Sequence, residues 1–226
     1  MSEEMLALFA REEALCDELV PHVVDGCLGK MIHHPLAVHI MFDSAHCGLI
    51  NEQFRRRSEA LNISLAEKKL SSAIFMHERP YRFGALIEYM QDYDFARHPD
   101  FWETVGNVWT DSENIYESFD DWQWVWEIDA PNIELVMDED ERTAFAALPE
   151  TLEVYRGVAE NGTEEGMSWT IDRNKAVWFA KRFNKSGTVL FTTINKCDVM
   201  AHFLGRNETE IVVMPQHLGL ITKETV

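Results

Sequence analysis

Three short strings in the last third of the chain carry side chains suited to chemistry: V-Y-R-G at 154–157, M-S-W-T at 167–170 and E-T-E at 208–210. Arg156 closes an alternating run, T-L-E-V-Y-R-G, that reads as a strand. Its planar fork can make two parallel, charge-assisted hydrogen bonds to phosphate or ribose oxygens. Gly157 lets the backbone approach a ligand closely, while Tyr155 should point to the opposite strand face. Glu208 and Glu210, two positions apart, share a face if they lie on a strand. Carboxylates there can place negative charge beside a centre where positive charge develops. Ser168 adds a hydroxyl, and Thr170 with Asp172 can cap a helix that begins near Arg173. Arg-Gly alone is ordinary turn punctuation, and E-x-E alone means little in an acidic chain. The three strings carry weight through their order.

That order resembles the Arg–Ser–Glu signature of the ADP-ribosyltransferase superfamily. The resemblance covers residues 152–215 and says little about residues 1–150. It implies a C-terminal split β-sheet module that takes NAD as co-substrate and breaks its bond to nicotinamide. Arg156 would hold NAD, Gly157 would read the nicotinamide carboxamide, and Ser168, Trp169 and Thr170 would support the pocket. Ser168 would orient Glu210, and Glu210 would stabilise the ribosyl cation. Glu208 would prepare the acceptor, and a glutamate there resembles the arginine-modifying members. W-F-A at 178–180 resembles the helix behind the pocket, with Phe179 either lining the nicotinamide side or packed in the core. The segment 202–207 corresponds to the target-recognition loop, where Phe203 is either a target contact or a buried aromatic. Only 11 residues separate Arg156 from Ser168, fewer than in many toxins of the class. The nicotinamide-side helix must then come from the N-terminal region or be missing. Compact forms of this kind resemble small mono-ADP-ribosyltransferases of phages and prophages, including an anti-CRISPR type.

The charge is uneven. Residues 151–226 hold nine basic and nine acidic side chains, so the net charge of −19 falls on residues 1–150. Residues 88–150 concentrate it, with 18 acidic residues against Arg97 and Arg142. Such a field repels nucleic acid and attracts basic surfaces; it reads either as a solvated face or as a docking surface for a basic protein partner. No apolar run approaches the roughly 18 residues of a membrane helix. The acidic Met-Ser-Glu-Glu start is unlike a secretory signal, which points to the cytoplasm, the host's if the chain is phage-encoded. Cys16, Cys27, Cys47 and Cys197 show no paired short spacing and read as free thiols. His33, His34, His39 and His46, with Cys27 and Cys47, match no structural zinc spacing, so no metal is expected. Arg55, Arg56 and Arg57 read as an exposed helix face.

The elements expected to position these residues form an α+β protein. Residues 1–150 read as a mainly helical, acidic region and 151–226 as the catalytic module. A helix is expected over 3–20, with Ser2 as its cap and Met5, Leu6, Leu8, Phe9, Leu15 and Leu19 near one face. Residues 22–48 read as mixed, with turns at Asp25-Gly26 and His34-Pro35. Ser64 and Glu67 have capping-box spacing for a helix toward Met76, and Pro80 precedes another over 82–92. D-D-W-Q-W-V-W-E alternates like a strand and would put three indoles on one face. Those rings are either a packing edge or a stacking surface for a ligand base. Asp138 and Glu141 start a helix that ends before Pro149, and further β-runs follow at 187–194 and 210–215. The expected activity is transfer of ADP-ribose from NAD to a protein side chain, arginine in the first instance, with a host nucleic-acid-handling complex as target. NAD hydrolysis and a non-enzymatic acidic mimic of nucleic acid are the alternatives.

Overall fold

The computed structural model describes residues 13–27, 29–39, 42–113, 115–183, 186–205 and 208–226. The chain is α+β and divides into two compact units, Met1–Phe95 and Ala96–Val226. Among the described residues no helix is long and apolar enough to cross a membrane.

The first unit contains a sheet within residues 22–48, where the sequence shows only mixed signals. Strands β1 (Val23–Gly26), β2 (Gly29–His34) and β3 (Ala37–His39) form an antiparallel meander in that order. Its first turn is closed by Gly29 at φ 126°, a backbone state open to glycine at no steric cost. Helices α1 (Cys47–Ala66), α2 (Leu70–Met76) and α3 (Arg82–Asp92) follow. Leu19, Ile32, Ala37 and Ile50 are the buried centre of this unit's core.

The expected helix over 3–20 is corrected where it can be seen. Ser2, Met5, Leu6, Leu8 and Phe9 lie outside the described residues, and residues 13–16 have no regular structure. The buried amide of Asn51 takes over their backbone bonding: its Oδ1 accepts from Cys16 N at 2.9 Å and its Nδ2 donates to the Ala14 carbonyl at 2.8 Å. The Ser64–Glu67 box is corrected too. Ser64 lies in the last turn of α1, and its carbonyl, not its hydroxyl, is used: Lys69 N donates to it at 2.8 Å while Lys68 N donates to Leu65 O at 3.1 Å. Lys68 sits at φ 57° between them, completing a Schellman closure. The helix over 82–92 forms as expected, with Pro80 in the turn before it.

The second unit opens with α4 (Phe101–Asp111), α5 (Phe119–Trp126) and α6 (Glu139–Ala146). The tryptophan-rich string is helical rather than a strand. Trp122 and Trp126, four apart, share a helix face and meet Trp109 edge-on at 4.9 and 5.4 Å, while Trp124 faces outward. Two of three alternating indoles also satisfy the helical spacing, and packing against α4 decides between the periods. The Asp138–Glu141 capping box is present in both directions, at 3.0 and 2.8 Å.

A six-stranded antiparallel sheet follows: β4 (Thr151–Ala159), β5 (Ser168–Thr170), β6 (Gly187–Asn195), β7 (Val199–Phe203), β8 (Glu210–Val213) and β9 (Thr222–Thr225), in spatial order β7-β8-β5-β4-β6-β9. One face carries helix α7 (Arg173–Lys181). Its approach needs small residues: a Cβ on Gly157 would stand 1.9 Å from the Ala176 carbonyl oxygen, and one on Gly187 2.2 Å from that of Ala180. The other face buries Leu152, Val154, Val158, Trp169, Leu190, Ile194, Ile211 and Val213, covered by Phe145, Leu148 and Leu218.

Candidate functional site

Strand β5 is the centre of the site. Thr170 pairs with Glu210 on β8 and Tyr155 on β4, and Glu210 in turn pairs with Phe203 on β7. Side chains opposite one another across an antiparallel sheet share a face. Ser168, two residues before Thr170, shares it as well. This is the α7 face, and a cavity of about 570 Å³ opens there, within the range of small-molecule sites. Ser168, Glu208, Glu210, Phe179 and Phe203 line it, with Trp178 and Arg182 from the end of α7 and Trp109, Thr110, Ser112, Glu113 and Ile115 from α4 and the chain after it.

The two carboxylates reach the cavity differently from the expected strand alternation. β8 begins at Glu210, so Glu208 stands in the chain before it. Thr209 between them adopts φ 46°, a left-handed state that a β-branched residue avoids at a cost of about 1–3 kcal/mol. Thr170 stabilises that bend, its Oγ1 donating to the Glu208 carbonyl at 2.7 Å. The same Oγ1 accepts from Asp172 N at 3.1 Å, and Asp172 itself caps α7 by accepting from Asn174 N at 2.8 Å. Thr170 is therefore a buried hinge pin linking β5, the α7 start and the glutamate turn.

Glu210 is held by a residue the sequence reading did not assign to the site. The Nε1–H of Trp109, which is 2 % exposed, donates to Glu210 Oε1 at 3.1 Å. A hydrogen bond of this kind fixes one carboxylate oxygen at the cavity wall. The signal for Trp109 was hidden because its partner lies 101 positions away.

The remaining expected ligand residues are placed elsewhere. Arg156 alternates with Tyr155 and Gly157, so its side chain leaves the sheet on the side of Trp169 and Ile211, and it is not among the residues lining the cavity. Its Nη1 donates to the Ser168 carbonyl at 2.8 Å and its Nη2 to that of Glu165 at 3.4 Å. Its buried Nε has no hydrogen-bond partner among the described residues. Burial pushes the guanidinium pKa down, and the negative charge of Glu210 opposes that shift. Gly166 makes room for it: a Cβ there would stand 2.5 Å from the guanidinium carbon. Gly157 serves the contact with α7, and Trp169 is buried with its Nε1 donating to Gly166 O at 3.0 Å. Arg156, Gly166 and Trp169 together brace β5 from behind.

Compared with protein-family models, with curated proteins and with solved structures, the chain matches none of them. The site's chemistry is accordingly read from its own residues. Three carboxylates (Glu113, Glu208 and Glu210) and one guanidinium (Arg182) are the charged groups of the described lining. The hydroxyls of Thr110, Ser112 and Ser168 and several aromatic rings stand beside them. Such a lining suits a ligand that carries both signs of charge and flat rings.

Elsewhere the four cysteines are free thiols. Among the described residues no group of three His, Cys, Asp or Glu side chains is arranged to hold a metal ion.

Proposed function

We propose that this chain is a mono-ADP-ribosyltransferase that cleaves the nicotinamide–ribose bond of NAD and transfers ADP-ribose to a protein side chain, with arginine the acceptor. One observation carries the reading. Ser168, Phe179, Glu208 and Glu210, drawn from three separated segments, line one cavity of about 570 Å³, with Glu210 held in place by Trp109.

In this reading the C1′–N bond of NAD breaks and its electron pair leaves with nicotinamide, whose positive charge is neutralised. The ribosyl carbon becomes electron-deficient, and Glu210 lowers the energy of that state electrostatically without forming a bond. Glu208 takes the proton from the acceptor nitrogen as the new C1′–N bond forms. Ser168 shapes the wall beside Glu210, and Phe179 offers a ring to the nicotinamide. No metal takes part in these steps.

The target we infer is a protein with a basic surface. Exposed Glu117, Asp120, Asp121 and Glu165 line a separate acidic groove in this same unit, and such a surface favours basic proteins over nucleic acid. A cytoplasmic target, in a host cell for a phage-encoded chain, fits this picture.

The test is incubation of cell lysate with a tagged NAD, comparing wild type with Glu210→Gln. A labelled protein band that requires Glu210 supports transfer. Nicotinamide release without a labelled protein would replace transfer by NAD hydrolysis. Absence of both, with biological activity surviving Glu210→Gln but not charge reversal at Asp120 and Asp121, would replace the enzyme by an acidic binding protein.

A further inference from the structure

We propose that the turn His34-Pro35-Leu36 in the first unit is a proton-operated latch, closed while the His34 ring is neutral and released when that ring takes a second proton. The latch is independent of the reading of the Glu210 cavity.

Hydrogen bonding fixes where the protons are. Leu36 N donates to His34 Nδ1 at 3.0 Å. A backbone N–H can only donate, so neutral His34 carries its proton on Nε2. An asparagine makes the same i,i+2 closure in an Asx-turn. A second proton on Nδ1 turns the acceptor into a donor facing another donor, and the bond that closes the turn is lost. The turn is also a joint. Glu78 N donates to the Pro35 carbonyl at 2.6 Å, and Arg57 Nη1 of α1 donates to the Leu36 carbonyl at 3.2 Å. Arg57 pairs with the Glu78 carboxylate as well. Leu36 and Ala37 are buried at this joint, so release of the turn uncovers apolar surface.

The surroundings oppose a positive charge on His34. Its ring meets His22 edge-on with centroids 4.5 Å apart, and Phe54 of α1 edge-on at 4.9 Å. His22 Nδ1 faces the His33 carbonyl at 3.0 Å, and His77 Nδ1 faces the Ala73 carbonyl at 3.0 Å. Carbonyls only accept, so both of those nitrogens already hold a proton. The charged groups on the packed elements add no free carboxylate: Arg57 engages Glu78, and Arg82 Nε donates to the His77 carbonyl at 3.1 Å. Tyr89 of α3 stands edge-on to His77. Burial first, and then the imidazoles of His22 and His77, push the His34 pKa below its ordinary value of 6.5. The open turn, with His34 in water, therefore takes the proton first. The closed state is at full strength above about pH 6.5 and loses ground as pH falls below it.

The experiment is NMR on the full chain between pH 7.5 and 5. It follows the ring protons of His22, His34 and His77, and hydrogen exchange at the Leu36 amide corrected for its intrinsic pH dependence. His34 is expected to titrate below 6.5, and opening at Leu36 to rise on acidification by about tenfold for each unit of that depression. The Ser58 amide, in the middle of α1, should not follow. His34→Asn keeps an acceptor for the Leu36 N–H without a titratable ring, and should abolish the pH response. His34→Phe keeps a ring between His22 and Phe54 without the acceptor. It should leave Leu36 exchanging several-fold faster already at pH 7.5, with no pH response. His34 titrating at or above 6.5 overturns the proposal, as does Leu36 exchange in wild type that is flat with pH. A pH response that persists in His34→Asn also overturns it and moves the sensor to His22, His77 or Glu78. Loss of protection at Leu36 and Ser58 together would replace the latch by global unfolding of the unit.

Discussion

Replacing Trp109 by phenylalanine removes one hydrogen-bond donor from the carboxylate on which the proposed chemistry depends. The indole N–H meets Glu210 Oε1 at 3.1 Å. A bond to a charged group contributes about 1.5–3 kcal/mol, and Glu210 is only half-buried, so the lower end applies. If that energy is realised where the ribosyl cation forms, about 1.5 kcal/mol corresponds to roughly a tenfold fall in kcat. KM should hardly move, because Trp109 orients the carboxylate and does not grip the rest of the ligand. The ring also packs edge-on against Trp122 and Trp126, and a phenyl ring fills less of that space. A stability loss of about 1–2 kcal/mol should accompany the change, so kinetics belong at a temperature where circular dichroism shows both proteins folded. The discriminating step is a double-mutant cycle. In a Glu210→Gln background the ionised acceptor is gone, and Trp109→Phe should cost little further activity. A folded Trp109→Phe protein with kcat within twofold of wild type would refute the claim that Trp109 positions Glu210. So would equal, additive losses in the two backgrounds.

Three further outcomes follow from the packing. Gly157→Ala places a methyl 1.9 Å from the Ala176 carbonyl oxygen, and the urea midpoint should fall by an amount equivalent to about 3 kcal/mol, the upper end for overpacking. Unchanged stability would mean that α7 does not rest on the sheet there. Arg156→Lys cannot serve two carbonyls with one fork, and a loss of about 1–3 kcal/mol in urea unfolding is expected; full stability with activity alone reduced would return Arg156 to the ligand. His202 is 3 % exposed, and burial pushes its imidazole pKa down. The unfolded chain therefore binds the proton first, so the contribution of neutral His202 is present above about pH 6.5 and is lost as pH falls below it. Melting temperature should drop between pH 7.5 and 5, and His202→Leu should flatten part of that drop; an identical pH profile in the variant would contradict the assignment.

The legible parts of this fold are those specified by neighbours in sequence. The Asp138–Glu141 capping box, the alternation of Thr151–Gly157 and the apolar spacing of Ala176 and Ala180 each state their element within a few residues, and each element forms. Where long-range partners intervene, local signals mislead. Asn51 dissolves the helix pattern at 13–16 by bonding its backbone, and α4 packing turns an alternating tryptophan string into a helix. The short strands Val199–Phe203 and Thr222–Thr225 were not anticipated, because each is defined by its partner in the sheet. The site divides in the same way. Ser168, Phe179, Glu208 and Glu210 were legible as types in order and share one cavity. Arg156 was legible only as a type, and strand alternation sends it to the opposite face. Trp109 carried no local signal, since its contact with Glu210 spans 101 positions.

The most direct measurement is nicotinamide release from NAD labelled in its nicotinamide ring, using purified protein with wild-type and Glu210→Gln side chains. Release by wild type that falls by about 100-fold or more in Glu210→Gln is expected, the scale of losing one preorganised electrostatic group. Equal release by both proteins, or none by folded wild type with a basic acceptor peptide present, would contradict the claim that the Glu210 cavity is where the glycosidic bond breaks.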